Sequence, residues 1–243
     1  MEPIAMIIHK MKKYFLVCGA LLFCFGMSAQ KENDVRISLG AGIGAYTNNL
    51  KWSYHGDITS LSLKRKGESP GFYIPIEARF HYSKWGSVGG GYSYGTYKYE
   101  DVGLSKNENR LHTMMASWEF TMFRATGLQL YGGPTFLYKW LAWNELDNFY
   151  TLYETPYKMS SRWKGAGFCA RLGILASFNH YLGMDINVRF ERTVLNLTQV
   201  KYANDIQDPR NYEATLGITG FSLGMALFAR INSQKEEATP TER

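Results

Sequence analysis

The stretch Leu216–Ile231, LGITGFSLGMALFARI, separates into two unlike faces at a period of two. Phe221, Leu223, Met225, Leu227, Ala229 and Ile231 share one parity, and Gly220, Ser222, Gly224, Ala226, Phe228 and Arg230 share the other. A helix would scatter both sets around its circumference, whereas successive side chains of a strand point to opposite faces. The stretch therefore reads as a strand between two environments, one that takes bulky apolar groups and one with room only for small or polar ones.

Seven earlier segments repeat the pattern. In Asp34–Tyr46 the residues Val35, Ile37, Leu39, Ala41, Ile43 and Ala45 alternate with Arg36, Ser38, Gly40, Gly42 and Gly44. In Gly71–Tyr82, Phe72, Ile74, Ile76, Ala78 and Phe80 oppose Glu77, Arg79 and His81. The same alternation runs through Gly86–Tyr99, Leu111–Arg124, Leu128–Trp140, Trp163–Phe178 and Leu182 to about Val194. Pro134 weakens the fifth segment and is tolerable only where its missing N–H is not needed. The connections alternate between long (Thr47–Pro70, Asp101–Arg110, Leu141–Arg162, Leu195–Thr215) and short (Ser83–Trp85, Ala125–Gly127, Asn179–Tyr181). Each adjacent pair can thus form an antiparallel hairpin with every long loop at one end. The expected fold is all-β, an eight-stranded antiparallel up-and-down transmembrane β-barrel over residues 31–231, with short periplasmic turns and long extracellular loops.

A soluble ligand-binding barrel would show the same alternation turned inside out. Three features favour lipid on the bulky face. The polar parity is rich in glycine and serine, which suits a narrow eight-stranded interior and makes a poor solvent surface. Aromatics gather near the strand ends, with Tyr46, Trp52, Tyr97, Tyr99, Trp140, Trp143 and Trp163 at the long-loop end and Tyr82, Trp85, Phe178 and Tyr181 at the other, as interfacial girdles would. The third is the leader: in MKKYFLVCGALLFCFGMSAQ, Lys12 and Lys13 precede an apolar run from Tyr14 to Phe25 and a small-residue exit at Ser28-Ala29, the layout of a secretory signal peptide over residues 1–30 started at Met11. That run falls short of the roughly 20 residues a spanning helix needs. Residues preceding Cys18 and Cys24 are Val17 and Phe23, too large for lipoprotein processing, and beyond the leader only Cys169 remains, which excludes an intramolecular disulfide framework.

The alternating segments, the loop pattern and the terminal GFSLGMALFARI resemble the outer-membrane β-barrel family that includes the OmpA transmembrane domain and OmpX, and the leader ending SAQ is similar to those of Bacteroidota. The resemblance implies the outer membrane of a Gram-negative bacterium and a monomeric barrel contacting lipid and lipopolysaccharide. Its implied roles are in envelope integrity, adhesion or, as in small PorT-like barrels, assistance to a secretion complex. Two departures stand out: Phe228 is followed by Ala-Arg-Ile and a polar tail, NSQKEEATPTER over residues 232–243, and no peptidoglycan-binding domain follows.

On the small-residue parity lie Arg36, Glu77, Arg79, Glu119, Lys139, Arg171, Asp185, Arg189, Glu191 and Arg230. Turned toward lipid near the midplane, each arginine would cost about 2–4 kcal/mol, so these charges are expected to point inward as a salt-bridge network that plugs the lumen. A proton or ion path through them would require water along the whole lumen. Negligible conductance is expected. The alternatives are a small-solute channel and a lipid A-modifying enzyme. For the latter, His81-Tyr82-Ser83 has a suggestive spacing at the short-turn end, the wrong side for lipid A, while His112 opens the fourth strand at the other end with no serine motif beside it. No catalytic residue, metal ligand or cofactor is therefore assigned. In the loops, Lys64, Arg65 and Lys66 form a candidate polyanion contact. The aromatic and acidic third loop suits a protein partner. The carboxylates of Glu145, Asp147, Asp205 and Asp208 lack the spacing of a defined calcium loop. Without the leader the formal charge falls from +6 to +4, too mild to indicate nucleic acid.

Overall fold

In the computed structural model, eight strands close into a ring: β1 (Asp34–His55), β2 (Ser60–Ser83), β3 (Gly86–Lys98), β4 (Glu108–Ala125), β5 (Leu128–Trp143), β6 (Met159–Ser177), β7 (Leu182–Tyr202) and β8 (Asn211–Asn232). The structure describes residues 34–55, 60–98, 108–125, 127–143, 159–179, 181–202 and 211–232. The leader, the polar tail after Asn232, most of the third long loop with Glu145 and Asp147, and Asp205 and Asp208 lie outside the described residues. Each strand pairs antiparallel with its sequence neighbours, and β1 pairs with β8 to remove both sheet edges. Across that seam Gly42 faces Gly224, Gly44 faces Ser222 and Tyr46 faces Gly220.

The short turns are compact. Gly127 sits at φ 76°, a left-handed conformation that glycine adopts without a Cβ clash, and its carbonyl accepts the Ser177 N–H at 2.7 Å. In the β6–β7 turn, Asn179 Oδ1 accepts the N–H groups of Tyr181 and Leu182, both at 2.8 Å. Pro75 and Pro134 each leave the ladder to one neighbour and keep it to the other. Between β1 and β2 the pairing passes from Leu39–Ile76 to Gly42–Tyr73, while Pro75 stays opposite Ser93 of β3. Between β4 and β5 it passes from Ser117–Thr135 to Phe120–Gly132, while Pro134 stays opposite Ala170 of β6. A missing donor is tolerated on that side only.

Outward residues form a continuous apolar belt. Leu227, Phe221 and Phe168 are 65%, 66% and 60% exposed, and Ile43, Ile76, Trp118, Leu172 and Val188 lie on the same face of their strands. Apolar surface in an unbroken girdle is a surface for acyl chains, and closure removes the open sheet edges that lipid could not satisfy.

The strands run on past this belt at the long-loop end, so much of what reads as loop is strand. The β1–β2 hairpin continues to His55 opposite Ser60, and Lys64, Arg65 and Lys66 lie in β2 opposite Lys51, Leu50 and Asn49 instead of in a loop. The two-residue period persists there with inverted polarity: Thr47, Asn49 and Lys51 point out, while Asn48 and Leu50 point in. β7 likewise extends to Tyr202, and β8 begins at Asn211.

Candidate functional site

Eight strands enclose only enough space for side chains, and the inward parity supplies them in two tiers. The tier toward the short turns is ionic. Glu77 of β2 meets three guanidinium groups, from Arg79 at 2.7 Å, Arg171 at 2.6 Å and Arg189 at 2.7 Å. Glu119 of β4 meets Arg36 at 2.7 Å and Arg79 at 3.1 Å. Asp185 of β7 accepts from Arg171 at 2.8 Å and from the Tyr131 hydroxyl at 2.7 Å. These bonds join β1, β2, β4, β5, β6 and β7, so the network braces strands that are not neighbours in the sheet. All seven charged residues are buried. Nearer the long-loop end, Lys139 of β5 pairs with Glu191 of β7, both buried. At the short-turn mouth Arg230 Nε lies 4.0 Å from Asp34 Oδ2, half-buried.

Inward aromatics complete this tier. Arg36 lies between the rings of Tyr131 (5.8 Å) and Phe228 (5.6 Å), Arg171 over Tyr131 (5.5 Å), Arg189 over Tyr73 (5.4 Å) and Lys139 over Tyr46 (5.8 Å). A desolvated cation gains from the negative face of a ring, which offsets part of the cost of burial. The glycines of the polar parity make room for these rings: a Cβ at Gly42 would overlap Tyr73, at Gly173 Tyr131, and at Gly183 Phe228.

The second tier, toward the long loops, is apolar. Leu50, Leu137, Leu141, Trp143, Trp163, Leu195, Leu216 and Ile218 are all almost fully buried inside the wall. Three of the aromatics expected in the outer girdle, Tyr46, Trp143 and Trp163, are therefore inside the barrel. Above the belt the outer surface meets water and turns polar, so the inner face becomes the core and takes the large apolar side chains. Between the tiers a cavity of about 40 Å³ is lined by Tyr46, Tyr73, Glu77, Lys139, Cys169, Arg189 and Glu191 among others. That volume holds two or three waters, not a continuous column.

His81 sits at the short-turn end of the inner face, and Ser83 Oγ accepts the Trp85 N–H at 3.2 Å, a bond that fixes the turn. Among the described residues no hydrogen bond joins His81 to Ser83. His112 faces outward. Its Nδ1 shares a hydrogen bond of 2.6 Å with the Tyr92 hydroxyl, and its ring stacks on Trp140 at 5.3 Å and 5°, with Tyr94 edge-on at 5.2 Å. Tyr138 adjoins Trp140 at 6.2 Å. These five rings make an aromatic shelf on the outside of β3–β5, at the upper edge of the belt. Reading them strand by strand hides the shelf; its signal is that Tyr92, Tyr94, His112, Tyr138 and Trp140 share the parity of Met114 and Phe136.

No protein-family model matches the sequence, and no characterised protein matches it at the sequence level. Solved structures that share the fold include two outer-membrane proteins. The outer-membrane protein OprG of Pseudomonas aeruginosa superposes with a TM-score of 0.55 at 10% identity, covering 84% of this chain and 99% of that one. The outer-membrane protein AlkL, determined in lipid bilayers by solid-state NMR, gives a TM-score of 0.50 at 10% identity, covering 86% of this chain and 96% of that one. At such identity the likeness is one of fold alone.

Proposed function

We propose that this chain is an outer-membrane barrel of a Gram-negative bacterium, exported by its leader, that works without catalysis as a contact protein of the envelope. Its lumen is a brace, and its long-loop end is the surface that meets other molecules, in envelope integrity, adhesion or the assembly of a larger complex such as a secretion machine. The lipid-facing belt and the fold shared with two outer-membrane proteins support the location. The observation that carries the role is the filled lumen: a cross-braced ionic tier and an apolar tier leave about 40 Å³ between them, which suits neither solute passage nor an internal active site.

The test is cross-linking of the tagged full chain in intact outer membranes, followed by co-purification, alongside a lipid A profile of a strain lacking the gene. A stable partner protein with unchanged lipid A is expected. No recovered partner together with altered lipid A would overturn the proposal in favour of a lipid-modifying enzyme.

A further inference from the structure

The buried charges of the lumen do not balance. Among the described residues, Arg36, Arg79, Lys139, Arg171 and Arg189 are its buried cations and Glu77, Glu119, Asp185 and Glu191 its buried carboxylates, five against four. At the short-turn mouth Arg230 and Asp34 add one charge of each sign. The protic groups beside the cluster do not offset the surplus. The Cys169 thiol donates to the Ala170 carbonyl at 3.5 Å, the Tyr131 hydroxyl to Asp185 at 2.7 Å and the Tyr73 hydroxyl to Ser222 at 3.4 Å, so each keeps its proton. Guanidinium groups do not deprotonate, and His81 can add only positive charge. On the outer face Ile76, Leu172 and Val188, beside Glu77, Arg171 and Arg189 in the chain, belong to the apolar belt, so no water outside the wall screens the cluster. A lone unbalanced charge in such a place is strongly destabilising.

We propose that the cavity between the tiers holds one monovalent anion of the chloride class, the counter-ion of the ionic tier. Three of the five cations, Arg79, Arg171 and Arg189, line that cavity. Its two carboxylates are already engaged, Glu77 by three guanidinium groups and Glu191 by Lys139. Arg189 has donor capacity to spare: Nη2 meets Glu77 at 2.7 Å and Nε meets Asn187 at 2.9 Å, whereas Nη1 points at the Met115 thioether at 3.4 Å, a weak acceptor. Met115 lines the cavity with Ser93, Thr113 and Thr135, whose hydroxyls can turn as further donors to an anion. One negative charge brings the lumen to balance, and a divalent anion would only reverse the surplus. The volume of about 40 Å³ takes one small ion with a water, at roughly 10–15 Å³ for each. Because the tiers close the lumen, the ion is enclosed as the barrel folds. The inference needs the closed barrel but not the contact role proposed above.

The test refolds the purified full chain from urea into phosphatidylcholine vesicles, in sodium chloride or in sodium gluconate of equal concentration, gluconate being too large for the cavity. Folding is checked by heat-dependent gel mobility, and unfolding is followed by tryptophan fluorescence. Chloride is expected to lower the unfolding equilibrium constant about tenfold, the linkage produced by a ligand at about ten times its Kd. Lys139→Met and Glu191→Gln break the same ion pair but move the balance in opposite directions, the first to four against four and the second to five against three. The chloride dependence is therefore expected to vanish in Lys139→Met and to grow in Glu191→Gln. Equal dependence in the two variants, or none in the wild-type chain, overturns the site. Should a variant fail to fold, the wild-type chain refolded and crystallised in sodium bromide decides. An anomalous difference peak beside Arg189 Nη1 is expected there, and a cavity without one overturns the proposal.

Discussion

Glu77 is the residue on which the lumen depends most, because three guanidinium groups converge on one carboxylate in the interior. Removing one partner of a buried charge cluster leaves the others desolvated and unpaired, which typically costs 3–5 kcal/mol. Glu77→Gln is expected to lower stability by about that amount in urea unfolding followed by tryptophan fluorescence in lipid; a loss below about 1 kcal/mol would show that water reaches the network. Lys139 and Glu191 form a simpler pair. There, Lys139→Met alone is expected to destabilise more than Lys139→Met/Glu191→Leu, because the double change removes both charges together. The sequence gives the face of each of these residues through its parity, but not its partners. Arg171 meets Glu77 across 94 positions of chain, and that pairing depends on how the ring closes, which no local pattern records.

At the scale of the strand, the period of two is legible wherever lipid lies on one side and a crowded lumen on the other. Leu223 of β8 has Ile43 and Val188 as outward neighbours in the middle of the belt. Leu223→Arg is expected to destabilise by about 2–4 kcal/mol, and Thr219→Arg, nearer the rim, by about 0–1 kcal/mol, in equilibrium refolding onto vesicles. Equal penalties at the two sites would mean that the belt does not end where Arg192 and Thr219 face each other. The strand ends are not legible for a physical reason. Beyond Tyr46 the outside becomes aqueous, polarity inverts, and TNNLKWSYH reads as loop although it pairs residue by residue with β2. The same inversion hides Trp143 and Trp163, since an aromatic at a strand end can anchor at a headgroup or fill the core, and composition does not distinguish the two. Pro134 is the converse case: its position in a strand with one unpaired side follows from its missing N–H alone.

Across the whole molecule, the outer belt is apolar and the interior is filled with side chains. Single-tryptophan variants separate the two. Trp118, 56% exposed within the belt, is expected to be quenched strongly by lipids brominated deep in their acyl chains, and Trp163, fully buried inside, is expected to be spared. Strong quenching of Trp163 would mean that the upper tier opens to lipid. The central claim, that the ionic and apolar tiers together close the lumen, is tested most directly by conductance of the purified full chain in planar bilayers. The account predicts no stable openings, because the space between the tiers holds only a few waters. Reproducible single-channel steps from the folded barrel would contradict it.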